Sequence, residues 1–251
     1  MYNFFADESA RAGDCYHITG ADYNHIKNVL RMRVGEEFLV SAGGVSALCR
    51  LVRYEGETVV CEIVEENCRD TNLPVKLYLF QGLPKSDKME LIIQKAVELG
   101  VAEIIPVEMH RCVVKLDEKK KPQKRARWQA IAESAAKQSK RNVIPEVSEV
   151  LSYKAAMARA AEMDVLLVPY ENKDGMAATK DALGRIRAGM SVGILIGAEG
   201  GFEEKEVAAA IEAGGVPISL GKRILRTETA AITAVGMCML YAEMQLSEGG
   251  Q

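Results

Sequence analysis

The chain has only three histidines, His17, His25 and His110, and a single tryptophan, Trp128. None of the histidines lies in the glycine-rich stretch near the carboxy terminus, so a histidine base is not expected. Its six cysteines (Cys15, Cys49, Cys61, Cys68, Cys112 and Cys238) form no CxxC pair and show no metal-ligand spacing. Reduced thiols in a cytoplasmic protein fit that pattern better than a disulfide framework, and it gives no support to a metal site. Asp7 and Glu8 interrupt any early apolar run, so no signal peptide is expected. The longest uncharged stretch near the end, Ala230 to Ala242, falls short of the ~20 apolar residues of a membrane span, and no membrane association is expected. Neither GxxxxGK[ST] nor GxGxxG occurs in the glycine-rich stretch, which makes nucleoside triphosphates and dinucleotides poor ligands.

What is present is a soluble, globular composition of 251 residues, 48% apolar and 27% charged, enough for one large domain or two modest ones. The net charge of −3 conceals a segregation. Residues 1–70 carry 7 basic and 12 acidic side chains (net −5), residues 71–145 carry 15 and 8 (net +7), and residues 146–251 carry 10 and 15 (net −5). A basic segment inside an acidic chain is the footprint of a polyanion partner.

The first segment reads as β-rich. Strands are predicted at Phe38 to Val40, Ala47 to Tyr54 and Thr58 to Val64, separated by Gly43-Gly44 and Glu55-Gly56-Glu57. Charged residues interrupt the apolar pattern, as in a small barrel with one wet face. Such a unit either pads the fold or grips RNA through His25, Arg31, Arg33, Arg50 and Arg53. The polar run ending at Pro74 places a boundary between domains 1–70 and 73–251.

Beyond it, strand and helix alternate. A strand at Val75 to Phe80 precedes a helix that Ser86 or Asp87 can cap, with Met89, Ile92, Ile93, Ala96 and Val97 on its inner face and Gly100 at its end. Val101 to Ile105 returns as a parallel strand. A basic run follows: Lys119, Lys120, Lys121, Lys124, Arg125 and Arg127, then Lys137, Lys140 and Arg141. It is either a solvated helix face over a packed Trp128 or a sequence-blind, salt-sensitive contact to an RNA backbone. A helix at Tyr153 to Glu162, a strand at Val165 to Val168 and a helix near Met176 to Ala188 lead on to Gly193.

From Gly193 to Thr233 the pattern is strand, glycine loop, helix, strand, basic loop, helix. Ile194 to Ile196 empties into Gly197-Ala198-Glu199-Gly200-Gly201, and the next helix opens with Glu203, Glu204 and Glu206, which its dipole favours. Val216 to Leu220 empties into Gly221-Lys222-Arg223-Ile224-Leu225-Arg226, with Thr227 as a cap and Glu228 in the first helical turn. Two such strand ends side by side form the crevice in which open α/β sheets bind ligands, and Pro169-Tyr170-Glu171 offers a third. Glu199 inside the loop disfavours a diphosphate and suits cationic or hydroxyl groups.

The glycine loop together with Leu220-Gly221-Lys222-Arg223-Ile224-Leu225-Arg226-Thr227-Glu228-Thr229-Ala230 resembles the paired signature of the RsmE family of the knotted SPOUT methyltransferases. The family's usual GPEGG has Ala198 in place of its proline here, which loosens the loop without removing its glycines or Glu199. The stretch His25 to Gly35 also resembles the family's amino-terminal domain. The resemblance implies a SPOUT-type α/β parallel sheet with a carboxy-terminal trefoil knot behind a small PUA-like, RNA-binding β-barrel. It also implies a cytoplasmic homodimer with its site near the subunit interface. Its implied cofactor is S-adenosyl-L-methionine and its implied substrate N3 of a uridine in 16S ribosomal RNA of the small subunit. Carried onto this sequence, the catalytic residues are Arg226, Thr227 and Glu228. Pro169, Gly197, Glu199, Gly200, Gly201, Leu220, Gly221, Ile224, Leu225 and Thr229 hold the cofactor. His25, Arg31, Arg33, Lys85, Lys121, Arg125, Lys140 and Arg141 meet RNA.

In chemical terms, attack by N3 requires loss of its proton and puts charge on the flanking carbonyl oxygens, which an arginine such as Arg226 can stabilise. Thr227, Glu228 or Thr229 would position the base or relay the proton, and Glu199 can meet the amino-acid part of the cofactor. Two alternatives stay open: a noncatalytic RNA-binding or ribosome-assembly protein, and a ribose 2′-O-methyltransferase of the same superfamily.

Overall fold

The computed structural model describes residues 1–85, 87–170 and 175–246. By contact these fall into two compact units. The first comprises Met1–Asn72 with Ala136–Ile144, the second Leu73–Ala135 and the chain from Pro145 onward. The return of residues 136–144 to the first unit has no signal in the sequence.

The first unit is a six-stranded sheet. Its strands are β1 (Asn3–Phe5), β2 (Arg11–Ala12), β3 (Cys15–Ile18), β4 (Glu37–Ala42), β5 (Val45–Glu55) and β6 (Thr58–Arg69), in the order β1-β4-β5-β6-β3-β2. Neighbours are antiparallel except β1 and β4, which run parallel with Phe4 opposite Val40. The three strands predicted from alternation are β4, β5 and β6; β1, β2 and β3 are too short for the pattern to reveal. Between β3 and β4, α1 (Gly20–Asn24) runs directly into a π-helical turn, His25–Val29. One face of the sheet and Ile26 from that turn enclose a core of Phe4, Phe38, Cys49, Leu51, Val59 and Cys61.

Buried polar groups hold residues 136–144 to this unit. Asn142 donates to Arg69 O and accepts from the Thr71 backbone N–H, and Asn3 donates to Arg141 O. Arg141 is only 6% exposed, and burial pushes its guanidinium down to about 10. The expectation that Arg141 meets RNA is therefore corrected: its side chain is inside the unit.

The second unit is built on a parallel sheet. In chain order it contains β7 (Lys76–Gly82), α2 (Lys88–Glu98), β8 (Glu103–Glu108), α3 (Lys120–Ser139, its last residues counted with the first unit) and the short β9 (Glu146–Val147) and β10 (Leu151–Ser152). Then come α4 (Tyr153–Ala160), β11 (Val165–Pro169), α5 (Ala177–Leu183), β12 (Ser191–Ile196), α6 (Glu204–Glu212), β13 (Gly215–Ile218) and α7 (Thr227–Leu246). The strand order is β10-β8-β7-β12-β11-β13, every pair parallel, with β9 also on β8. The chain moves outward from β7 to β8, crosses to lay down β11, then inserts β12 between β11 and β7. Such a change of direction marks the ligand-binding edge of an open sheet.

The continuous apolar runs of β7, β8, β11 and β12 are what a sheet covered on both faces requires. On α2 the predicted stripe Met89, Ile92, Ile93, Ala96 and Val97 is buried as spaced, and each fully buried large side chain contributes about 1.5–3 kcal/mol. Trp128 on α3 is buried at 4% exposure, in keeping with a packing role. The capping expectation for α2 changes. Asp87 occupies the cap position without a side-chain hydrogen bond, and Ser86 lies outside the described residues.

The uncharged stretch Ala230 to Ala242 belongs to a longer element. Among the described helices α7 has the length, 20 residues, and the mean hydropathy, 1.2, to cross a membrane. Glu228 and Glu243 lie within it, and Ala231, Ala234, Val235, Cys238 and Ala242 are buried, with α7 packing on α2. The contrary expectation rested on the uncharged core alone and missed the extension of the helix through both glutamates.

Asn142→Ala would leave Thr71 N–H and Arg69 O without their partner. We expect it to lower unfolding free energy by about 1–3 kcal/mol in urea denaturation, the usual loss for buried groups stripped of a hydrogen bond.

Candidate active site

The carboxy-terminal ends of β11, β12 and β13 surround a cavity of about 660 Å³ in the second unit. β12 and β13 are not neighbours, as the sequence suggested, because β11 lies between them. The end of β11 therefore falls between those of β12 and β13, and Pro169 and Tyr170 line the cavity with both glycine loops. Glu171 lies outside the described residues.

The first glycine loop is a tight reversal. Gly201 N–H donates to Ala198 O (2.9 Å), and Gly201 takes φ +67°, a conformation that glycine adopts without a Cβ penalty. The loop also packs closely against the end of β7: a Cβ on Gly82 would lie 2.7 Å from Ala198 N. From the far side, Arg111 donates to Gly200 O (2.9 Å) and lays its side chain over Gly200.

The basic loop is joined to this reversal by one hydroxyl. Thr227 Oγ1 donates to Gly197 O (2.6 Å) and accepts from Gln81 Nε2 (3.0 Å), a chain of hydrogen bonds linking the ends of β7 and β12 to the start of α7. Thr227 is not the expected cap: it is the first residue of α7, and its hydroxyl bridges the end of β7 and the loop after β12. Arg226 O receives the first helical bond instead, from Ala230 N–H. That commitment also removes Thr227 as a free proton relay. Gln81 is fully buried, and among the described residues its Oε1 has no hydrogen-bond partner.

The lining carries charge of both signs. Glu199 Oε1 accepts from the Lys85 backbone N–H (2.9 Å) and lies 3.3 Å from Lys88 Nζ, which is also 3.3 Å from Glu228 Oε2. The second contact is an ion pair without hydrogen-bond geometry. Burial alone would raise the Glu199 carboxyl. The Lys85 N–H and the Lys88 ammonium outweigh it and hold the group below the ordinary carboxylate range. From the basic loop, Lys222, Arg223, Ile224 and Arg226 are exposed and line the cavity.

Of the expected cofactor residues, Pro169, Gly197, Glu199, Gly201, Leu220, Gly221, Ile224 and Leu225 line the cavity, as do Arg226 and Thr227. Gly200 and Thr229 do not; the first is covered by Arg111, and the second is exposed on α7. Glu228 reaches the site only through Lys88. Of the expected RNA residues, His25, Arg31 and Arg33 are exposed around the π-helical turn, and Arg31 takes the left-handed φ of 53°. Lys121 pairs with Glu108 and Glu118, Arg125 with Glu146, while Arg50 pairs with Glu37 and Glu62. Much of the basic run is thus locally neutralised, by exposed pairs of the kind that contribute about 0–1 kcal/mol each. Lys85 contributes its backbone to Glu199, and Lys140 holds a left-handed φ of 59°.

Sequence reasoning missed Gln81, Lys88 and Arg111. A signal existed for two of them. Gln81 is a polar residue ending a buried strand, and Lys88 is a cation at a helix start, where the dipole disfavours it.

The cavity has apolar walls from Pro169, Ile196, Leu220 and Leu225, backbone groups from two loops, and a carboxylate. That suits a flat aromatic nucleoside joined to a cationic chain. The comparisons agree. The profile of the RNA methyltransferase domain matches residues 71–239, and that of the RNA methyltransferase PUA domain matches residues 18–64. Fold and site together define an RNA methyltransferase of the SPOUT type with a PUA-like amino-terminal domain.

The chain is 41% identical, over 91% of both sequences, to ribosomal RNA small subunit methyltransferase E of Bacillus subtilis. The structure of the protein of that name from Neisseria gonorrhoeae, bound to S-adenosyl methionine, is 34% identical. It matches with a TM-score of 0.80 over 96% of this chain and 97% of that one. A Legionella pneumophila methyltransferase, solved in complex with bound SAM, is 30% identical, with a TM-score of 0.82 over 95% and 97%. The chain belongs to the ribosomal RNA small subunit methyltransferase E family.

Two outcomes follow from the geometry. Thr227→Val should destabilise the protein by about 1–3 kcal/mol, since Gly197 O and the Gln81 amide lose their shared partner, whereas Thr227→Ser should not; thermal denaturation measures both. Because the folded Glu199 carboxyl is depressed, its stabilisation is present above its unfolded pKa and is lost as pH falls through the folded value. Glu199→Gln should accordingly flatten the acid side of the stability–pH curve.

Proposed function

We propose that the protein methylates N3 of a uridine in 16S ribosomal RNA of the small subunit, using S-adenosyl-L-methionine held in the strand-end cavity. The observation that carries this reading is the placement of Glu199 and Arg226 on the walls of one cavity formed by three parallel strand ends. The residues present fit the donor. Pro169, Ile196, Leu220 and Leu225 would flank its adenine, the backbones of the two loops would hold the ribose, and Glu199 would face its cationic portion. When bound there, the donor supplies an electrophilic methyl group on a positively charged sulfur.

The chain's own residues do the rest. Methyl transfer is an in-line displacement, so alignment of donor and acceptor is the main requirement. The N3 lone pair forms the new C–N bond, the S–C pair stays on sulfur as a neutral thioether, and the N3 proton passes to a base. Arg226, exposed at the mouth, stabilises the negative charge that develops on the carbonyls flanking N3. Glu228, within reach of the site through Lys88, orients the groups that take the proton. Thr227 serves as the joint between loops.

RNA would be gripped by the exposed set His25, Arg31 and Arg33 on the first unit, with Lys85 at the cavity side. A homodimer accords with the apolar residues Leu240 and Met244 exposed at 51% and 57% on α7. The same pairing gives that helix an occupant other than a membrane, in a cytoplasmic protein. A trefoil knot through the two glycine loops completes the reading.

Mass spectrometry of ribosomal RNA from cells with and without the protein tests the function. Loss of one 3-methyluridine supports it. Loss of a 2′-O-methyl mark assigns the ribose instead, and an unchanged spectrum leaves a noncatalytic RNA-binding role. In the purified enzyme, Arg226→Ala should lower kcat by about 10²–10³, the typical loss for one oxyanion donor, while donor affinity measured by calorimetry stays within a few-fold.

A further inference from the structure

Lys88 occupies the first position of α2, where the positive end of the helix dipole opposes a cation. It is nevertheless set into the site, with a side chain only 28% exposed and its ammonium 3.3 Å from two carboxylates, Glu199 and Glu228, themselves 23% and 15% exposed. The two acids come from different loops, one after β12 and one at the start of α7. A lysine from a third element joins them against the local preference of its own helix.

Resting on the reading of this cavity as a methyl-donor site, we propose that Lys88 is a positioning residue that offsets one charge of the Glu199–Glu228 pair beside the donor pocket. With it, the three side chains sum to −1; without it, they sum to −2. The distinction matters because the donor and its product differ by one charge. The sulfonium is cationic and the thioether left after transfer is neutral. A second uncompensated carboxylate would stabilise the sulfonium before reaction more than it stabilises the transition state, where the positive charge is already dissipating. Binding of the ground state alone does not accelerate transfer. Lys88 offsets one of the two carboxylates it touches, while the basic-loop cations Lys222, Arg223 and Arg226 are the same with or without it, so its removal changes the field at the donor by one charge. Glu199 retains its Lys85 N–H when Lys88 is removed, so the loop keeps its anchor.

Titration calorimetry with S-adenosylmethionine and with S-adenosylhomocysteine tests this on the full-length protein. In Lys88→Met the affinity ratio of donor to product should rise roughly tenfold, about the worth of one unit charge several ångströms away at a protein surface, while single-turnover kcat falls. Lys88→Arg should restore the wild-type ratio, as should Lys88→Met combined with Glu228→Gln. Glu228→Gln alone should lower the ratio, which gives an independent arm should Lys88→Met fold poorly. A purely structural lysine would weaken both ligands equally; an unchanged ratio in both Lys88→Met and Glu228→Gln overturns the proposal. Wild-type protein that binds neither ligand would instead overturn the donor-site reading itself.

Discussion

The site depends on three chain reversals being held together at one edge of a parallel sheet, and the hydroxyl of Thr227 is the smallest group on which that depends. It donates to Gly197 O in the loop after β12 and accepts from Gln81 at the end of β7, from its place at the start of α7. Each of those segments would otherwise present an unpaired polar group to the interior, and such groups are costly to bury. Gly82 allows the same approach sterically, because a Cβ there would meet the backbone of Ala198. The cavity walls are therefore fixed by backbone contacts, by one hydroxyl and by the Lys85 N–H on Glu199 Oε1, which leaves Arg226 available to face a ligand.

Around that joint, the cavity carries charge of both signs. Glu199 stands beside Lys88, which also meets Glu228, and the basic loop adds the exposed cations Lys222, Arg223 and Arg226. A sulfonium donor and an acidifying acceptor base make opposite demands, and the lining holds groups of both kinds. The strand order adds the reason for the location. Inserting β12 between β7 and β11 puts the ends of β12, β11 and β13 side by side at one edge of the sheet.

Much of this was readable in the residues. The apolar runs and the stripe on α2 predicted the strands and the helix face, because burial on both sides of a parallel sheet imposes those patterns directly. The glycine loops and their cavity followed from three glycines in five residues behind a buried strand. What the sequence hid was nonlocal. β1, β2 and β3 are two to four residues long and exist only through their partners. Arg141 reads as the end of a basic run, yet its burial depends on residues 136–144 joining the first unit. Thr227 had every local mark of a cap, and only the proximity of Gly197 shows that its proton is used elsewhere.

The account stands on the claim that the strand-end cavity receives the methyl donor. A crystal structure of this protein soaked with S-adenosylmethionine addresses it most directly. The expected result is density between Pro169, the loop Gly197 to Gly201 and the loop Gly221 to Arg226, with Glu199 nearest the cationic portion. Ordered donor at any other place on the molecule, with this cavity holding only solvent, would contradict it.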